Sequence, residues 1–144
     1  MVYGNKSAFR TPLIGRVVYL NKQLAHYGRL LPSGKKRKTA SGEVRMTVDI
    51  RRYYFTPLLE KGNTLFVYAM RQLKGKDYLK RSVELIEEIQ AQCFLIMELH
   101  GWNGEVCADL DMICDDIANQ LYSLSKGQDK EARVIKPKGD NERV

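Results

Sequence analysis

The chain has 144 residues, 24 Lys+Arg against 17 Asp+Glu, a formal net charge of +7 and 44% hydrophobic residues. That size and apolar content suit one globular domain and exclude wholesale disorder. No segment approaches the run of about 18 apolar residues that a membrane helix needs, and residues 1–16 lack the apolar centre of a secretion signal. Three cysteines, Cys93, Cys107 and Cys114, make no dense even-numbered framework, so the expected setting is the cytoplasm, with the thiols reduced and buried.

The charge is unevenly spread. Residues 1–76 carry 16 Lys/Arg and 3 Asp/Glu, whereas residues 77–126 carry 3 Lys/Arg and 10 Asp/Glu. A dense basic half is the composition of a protein that neutralises phosphates. Its alternative is that the two halves pair with each other, within one chain or across an oligomer.

Along the chain, Ile14, Val17, Val18, Leu24, Ala25 and Leu31 fit a first helix over 13–31, stopped by Pro32-Ser33-Gly34. Residues 32–42, with Lys35-Lys36-Arg37-Lys38 at their centre, have no apolar content to pack and read as a solvated or bound basic loop. A second helix is expected over 43–73, starting at a Ser41 cap and kinked or restarted at Thr56-Pro57, because proline lacks the backbone donor. Val44, Met46, Val48 and Ile50 also alternate with Arg45, Thr47, Asp49 and Arg51, which is a strand pattern. The helix is favoured because a lone strand needs a partner that the sequence does not obviously offer.

The third helix, over 77–100, is capped by Asp77 and carries Leu79, Val83, Ile86, Ile89, Cys93, Ile96 and Met97 on one face, widened by Leu85, Leu95 and Leu99. Gly101 supplies its left-handed end, and the short link to Gly104 folds the next helix back antiparallel, with Asn103 as cap. Val106, Leu110, Ile113, Cys114, Ile117, Leu121 and Leu124 give the fourth helix its stripe over 103–126, ended by Lys126-Gly127. The expected fold is therefore all-α: one antiparallel, up-down-up-down four-helix bundle over 1–126, its firmest part the helical hairpin 77–126. Residues 127–144 read as a flexible tail.

Basic residues concentrate around the first half of the second helix. Lys35, Lys36, Arg37, Lys38, Arg45, Arg51 and Arg52, followed directly by Tyr53 and Tyr54, put cations beside aromatics, and Lys61, Arg71, Lys74, Lys76, Lys80 and Arg81 continue the series. Phosphates take the charge on such a surface and unpaired bases can stack on the rings. The thirteen residues from Lys35 to Lys76 are the candidate nucleic-acid interface, and the tyrosines have the competing task of covering the core.

Little else suggests chemistry. Cys93 and His100 share one helix face and Cys107 and Cys114 another, but their spacings match no zinc motif, and four side chains spread over two turns of two helices rarely meet one ion at about 2.0–2.3 Å. Glu84 with Glu88 and Asp111 with Asp115 lack the Glu-x-x-His of a di-iron bundle. With His26 and His100 the only neutral-pH bases, and no phosphate loop or nucleophile elbow, neither enzyme, metal nor cofactor is expected.

Within 73–126, Val83-Glu84-Leu85-Ile86-Glu87-Glu88-Ile89, the turn Leu99-His100-Gly101-Trp102 and the ending Ile117-Ala118-Asn119-Gln120-Leu121 follow one another. The segment resembles the last two helices of the four-helix bundle family of 23S rRNA intervening-sequence proteins and diversity-generating retroelement accessory variability determinants. The resemblance implies a basic, non-enzymatic bundle that forms a ring-like homo-oligomer, commonly a pentamer. It also implies a partner in structured RNA and in a reverse transcriptase, with Lys35 to Lys38, Arg45, Arg51 and Arg52 corresponding in type to the family's contact residues.

Overall fold

The computed structural model describes residues 11–31, 36–38, 40, 42, 44–46 and 51–135, with the backbone alone described at 36–38, 44–46 and 131–135. Four helices form the body: α1 (Pro12–Gly28), α2 (Thr56–Leu73), α3 (Leu79–His100) and α4 (Gly104–Ile135). Two short strands, β1 (Lys36–Lys38) and β2 (Val44–Met46), lie between α1 and α2, and a single π-helical turn, Arg51–Phe55, leads into α2.

The helices run antiparallel to their neighbours in a four-cornered ring. α1 packs on α2 and α4, and α3 on the same two, while α2 also touches α4. Cross-links give the directions. Asn21 meets Gly62 and Gly28 meets Phe55 between α1 and α2, Lys61 meets Glu88 and Arg71 meets Tyr78 between α2 and α3, and Arg16 meets Asp116 and Gln23 meets Asp109 between α1 and α4, each pair in opposite order along the two segments. α3 turns back into α4 within three residues, with Gln90 on Asp115. This is the all-α up-down-up-down bundle expected from the helical periodicity.

Its core is one face of each helix, with residues recurring mostly at steps of three, four or seven: Val17, Leu20 and Leu24; Leu58, Leu65 and Ala69; Ile86, Ile89, Cys93 and Ile96; Leu110, Ile113, Cys114, Ile117 and Leu121. Burying each large side chain of this set removes it from water at a gain of about 1.5–3 kcal/mol. Gly62 lets α1 and α2 approach closely, since a Cβ there would lie 2.6 Å from Asn21 Oδ1. Asn21 Nδ2 uses the approach to donate to the carbonyls of Val17 and Gly62. Leu95 and Leu99, expected to widen the buried face of α3, are instead 44% and 56% exposed, because the core needs only the narrower stripe.

Helix ends follow local chemistry with four departures, the first being that α1 ends at Gly28, three residues short of the expected Leu31. Thr11 caps α1 through Ile14 N–H at 3.2 Å, Asn103 caps α4 through Val106 N–H at 2.9 Å, and Gly101 ends α3 at φ 82°. Asp77 does not cap α3; Tyr78 occupies that position without a side-chain bond. α4 does not stop at Lys126-Gly127 but continues to Ile135, so the first nine residues of the expected flexible tail are helical. Gln128 explains part of this, since its side chain is bonded to Gln72 on α2 and holds α4 against the bundle beyond Gly127.

The largest departure concerns residues 43–55. The second helix begins at Thr56 rather than at residue 43, and the Ser41 cap expected for it falls outside the described residues. Pro57 sits in the first turn of α2, where its missing donor costs nothing, and the chain before it leaves the α-helical register. Upstream, Val44–Met46 form a strand after all. Its partner is the basic segment itself: Lys36 pairs with Met46, Arg37 with Arg45 and Lys38 with Val44, antiparallel. The segment 36–38 is thus half of a β-ribbon and not a loop.

Candidate nucleic-acid interface

The structure divides the predicted basic series between the two ends of the bundle. α2, with 18 residues, spans about 27 Å at about 1.5 Å per residue, and separates Arg51 and Arg52 from Arg71. At the first end the ribbon carries Lys36, Arg37, Lys38 and Arg45; Lys35 lies outside the described residues. Eight Lys/Arg stand against two acids between residues 29 and 55. The register sets Arg37 directly opposite Arg45, an arrangement that is destabilising between like charges unless an anion offsets it.

An aromatic group anchors this end to the bundle. Trp102, in the α3–α4 turn and 4% exposed, donates from Nε1 to Tyr27 O at 3.2 Å and meets the rings of Tyr27 and Phe55 edge-on, both at 6.3 Å. Phe55 closes over Gly28, where a Cβ would come within 2.0 Å of its ring. Tyr27 Oη donates to Asp109 Oδ2 at 2.8 Å, and that bond, with burial and the carboxylate's charge, pushes the phenol up to about 12.

The side chains at this end have separate tasks. Arg51 donates from Nε to Leu31 O at 2.6 Å and from a terminal nitrogen to Arg29 O at 2.9 Å, so it satisfies carbonyls left over where α1 ends. Arg52 is exposed, and so is Tyr53, at 68%. Tyr54 is half-buried against His100, with ring centroids 4.5 Å apart. A base could therefore stack on Tyr53, whereas Tyr54 is already engaged. Lys61 points toward α3, 3.9 Å from Glu88.

At the other end, Arg71, Lys74 and Lys76 surround the α2–α3 turn, with Lys80 and Arg81 on the first turn of α3. Tyr78 stands among them. Arg71 donates to its hydroxyl at 2.8 Å, and this bond lowers the phenol's pKa, against a smaller opposing effect of burial. Lys80 and Arg81 close the basic series read from the sequence, whereas Tyr78, the ring at the centre of the group, carries no charge and was missed.

Part of the positive half does pair internally, as Arg16 with Asp116 at 2.7 Å and Lys61 with Glu88 show. The flank formed by α3 and α4 is acidic, and on it Asp111 has its pKa raised by burial first and by Asp115 second. Cys93 and Cys114 are fully buried and Cys107 nearly so, and burial raises all three thiols, Cys114 to about 12. Among the described residues no group of three His, Cys, Asp or Glu is placed to hold a metal ion, and no helix is long and apolar enough to cross a membrane. No family model, curated protein or solved structure matches the chain.

Proposed function

We propose that the protein is a non-enzymatic, cytoplasmic accessory factor that binds structured RNA through the basic β-ribbon and the residues around it. One observation carries this reading: a ribbon whose register sets Arg37 opposite Arg45, in a segment where cations outnumber acids fourfold. Like charges set opposite each other across two strands repel, and a polyanion bound there would offset that repulsion while the ribbon's cations displace the counterions condensed on it. Exposed Tyr53 adds a stacking surface beside Arg52. The resemblance of residues 73–126 to intervening-sequence and accessory-variability-determinant bundles supports a homo-oligomer, a pentamer by that likeness, and a reverse transcriptase as the enzyme it serves.

The test is binding of a structured RNA by the full chain between 50 and 200 mM salt, followed by fluorescence anisotropy. Each phosphate that the protein no longer neutralises lowers the slope of log K against log salt by about 0.7–0.9. The combined substitution Lys36→Ala, Arg37→Ala, Lys38→Ala and Arg45→Ala is therefore expected to reduce the slope by about 3 and to weaken binding alike for unrelated sequences. Unchanged affinity in that variant would remove the ribbon from the interface. Association with an acidic protein that survives nuclease treatment, with no RNA bound, would replace the function by that of a protein adaptor.

A further inference from the structure

The α2–α3 turn is rigidly held and electrically unbalanced. Gly75, at φ 89°, ends α2, with its N–H on Gln72 O at 3.0 Å and Lys76 N–H on Arg71 O at 3.1 Å; the left-handed backbone makes both bonds possible. Gln72, 2% exposed, fastens the turn to the rest of the bundle. Its Oε1 accepts from Tyr78 N–H and its Nε2 donates to Gln128 Oε1, both at 2.7 Å, while Gln128 Nε2 donates back to Gln72 O.

On this frame the Tyr78 ring holds two guanidinium groups, Arg71 at 5.3 Å and Arg81 at 5.1 Å from its centroid. The two charges are thus no more than about 10 Å apart, and their repulsion in water is about 0.4 kcal/mol at that distance and about 0.8 kcal/mol at half of it. Each exposed cation–π contact is worth about 0.5–1 kcal/mol, so the ring can keep both in place without a counter-charge. None has one among the described residues: Arg71, Lys74, Lys76, Lys80 and Arg81 form no ion pair, and Asp77 is the only carboxylate between residues 71 and 81. The Tyr78 oxygen accepts from Arg71, which leaves its own proton to donate.

We propose that Arg71, Tyr78 and Arg81, rimmed by Lys74, Lys76 and Lys80, form a phosphate-binding site separate from the ribbon. The guanidinium forks and the phenol proton would bind phosphate oxygens, and the lysines would add charge. This deepens the RNA reading and rests on it for the natural source of the phosphate. Two grips about 27 Å apart on one RNA raise its affinity above that of either end alone.

The experiment follows backbone amide resonances of the full chain during titration with inorganic tripolyphosphate and, separately, with an RNA stem long enough to reach both ends. Tripolyphosphate is expected to shift the amides of Lys76 and of residues 78–81. The exposed pair Arg71→Gln/Arg81→Gln should abolish those shifts and lower the RNA salt slope by about 2. Tyr78→Phe, which keeps the ring, should weaken tripolyphosphate binding several-fold. The ribbon variant should leave the shifts intact. Movement of the same amides by RNA identifies the RNA backbone as the source, and movement by tripolyphosphate alone identifies a free polyphosphate. Still amides in both titrations, while the ribbon variant loses RNA, would overturn the second site and leave the RNA reading standing. Retained tripolyphosphate shifts in a chain that binds no RNA would do the reverse.

Discussion

Replacing Gln72 with Ala should cost this bundle about 3 kcal/mol, although the residue is polar. Its amide joins three elements, accepting from Tyr78 N–H on the turn and donating to Gln128 on α4, each at 2.7 Å. Tyr78 and Gln128 are half-buried, so water can partly replace the lost partner, and about 1 kcal/mol for each bond is the appropriate figure. Loss of the buried methylene adds about 0.8 kcal/mol. For a chain of this length about 3 °C of melting temperature accompanies each kcal/mol, which gives a fall of about 9 °C. Urea unfolding and thermal melts followed by circular dichroism measure both quantities. The decisive result is the double-mutant cycle with Gln128→Ala, because the reciprocal bonds require the two substitutions to be non-additive by about 1 kcal/mol. A Gln72→Ala chain within about 0.5 kcal/mol of wild type, or strict additivity with Gln128→Ala, would refute the lock between the turn and α4.

Other residues give independent checks. Arg51→Ala removes two charge-assisted bonds to the carbonyls of Arg29 and Leu31, so it should destabilise by about 2 kcal/mol while changing the RNA salt slope by less than the share of one phosphate; a slope lower by that full share, with unchanged stability, would reverse the assignment. Gly28→Ala drives a methyl group into the Phe55 ring and should cost about 1–3 kcal/mol, most of it recovered in Gly28→Ala/Phe55→Leu by urea unfolding. Tyr27 is held protonated by its bond to Asp109, with its pKa raised from the ordinary 10.0 to about 12. Because the folded value is the higher one, this contribution is complete below pH 10 and is lost as the pH rises toward 12. Ultraviolet titration of the phenols should show a late ionisation that moves down in Asp109→Asn. Finally, burial keeps Cys93 and Cys114 as thiols, so a disulfide reagent should leave both untouched in the native protein and modify all three cysteines in urea; rapid native modification of Cys114 would contradict its placement in the core.

The hairpin of α3 and α4 was legible because its information is local. Apolar residues three and four apart, Gly101 at a forced left-handed turn and Asn103 three residues before Val106 N–H all act within a few residues of one another. The up-down topology followed from the shortness of that link. The same locality misled the reading at Gly127, a helix stop in isolation that α4 passes through while Gln72 holds Gln128.

The ribbon required more than periodicity. The alternation of Val44 to Arg51 contained the strand, but its partner is a run of Lys and Arg with low strand preference, identified only by the register that sets Lys36 against Met46. Composition by itself determined that this protein has a surplus of positive charge in its first half and acids in its second. Only the tertiary structure decided which cations remain available: Arg16 and Lys61 meet carboxylates, Arg51 meets carbonyls, and Arg71 and Arg81 are gathered on one tyrosine ring. Charge is a property of each residue, but its neutralisation depends on neighbours that the chain brings together from distant positions.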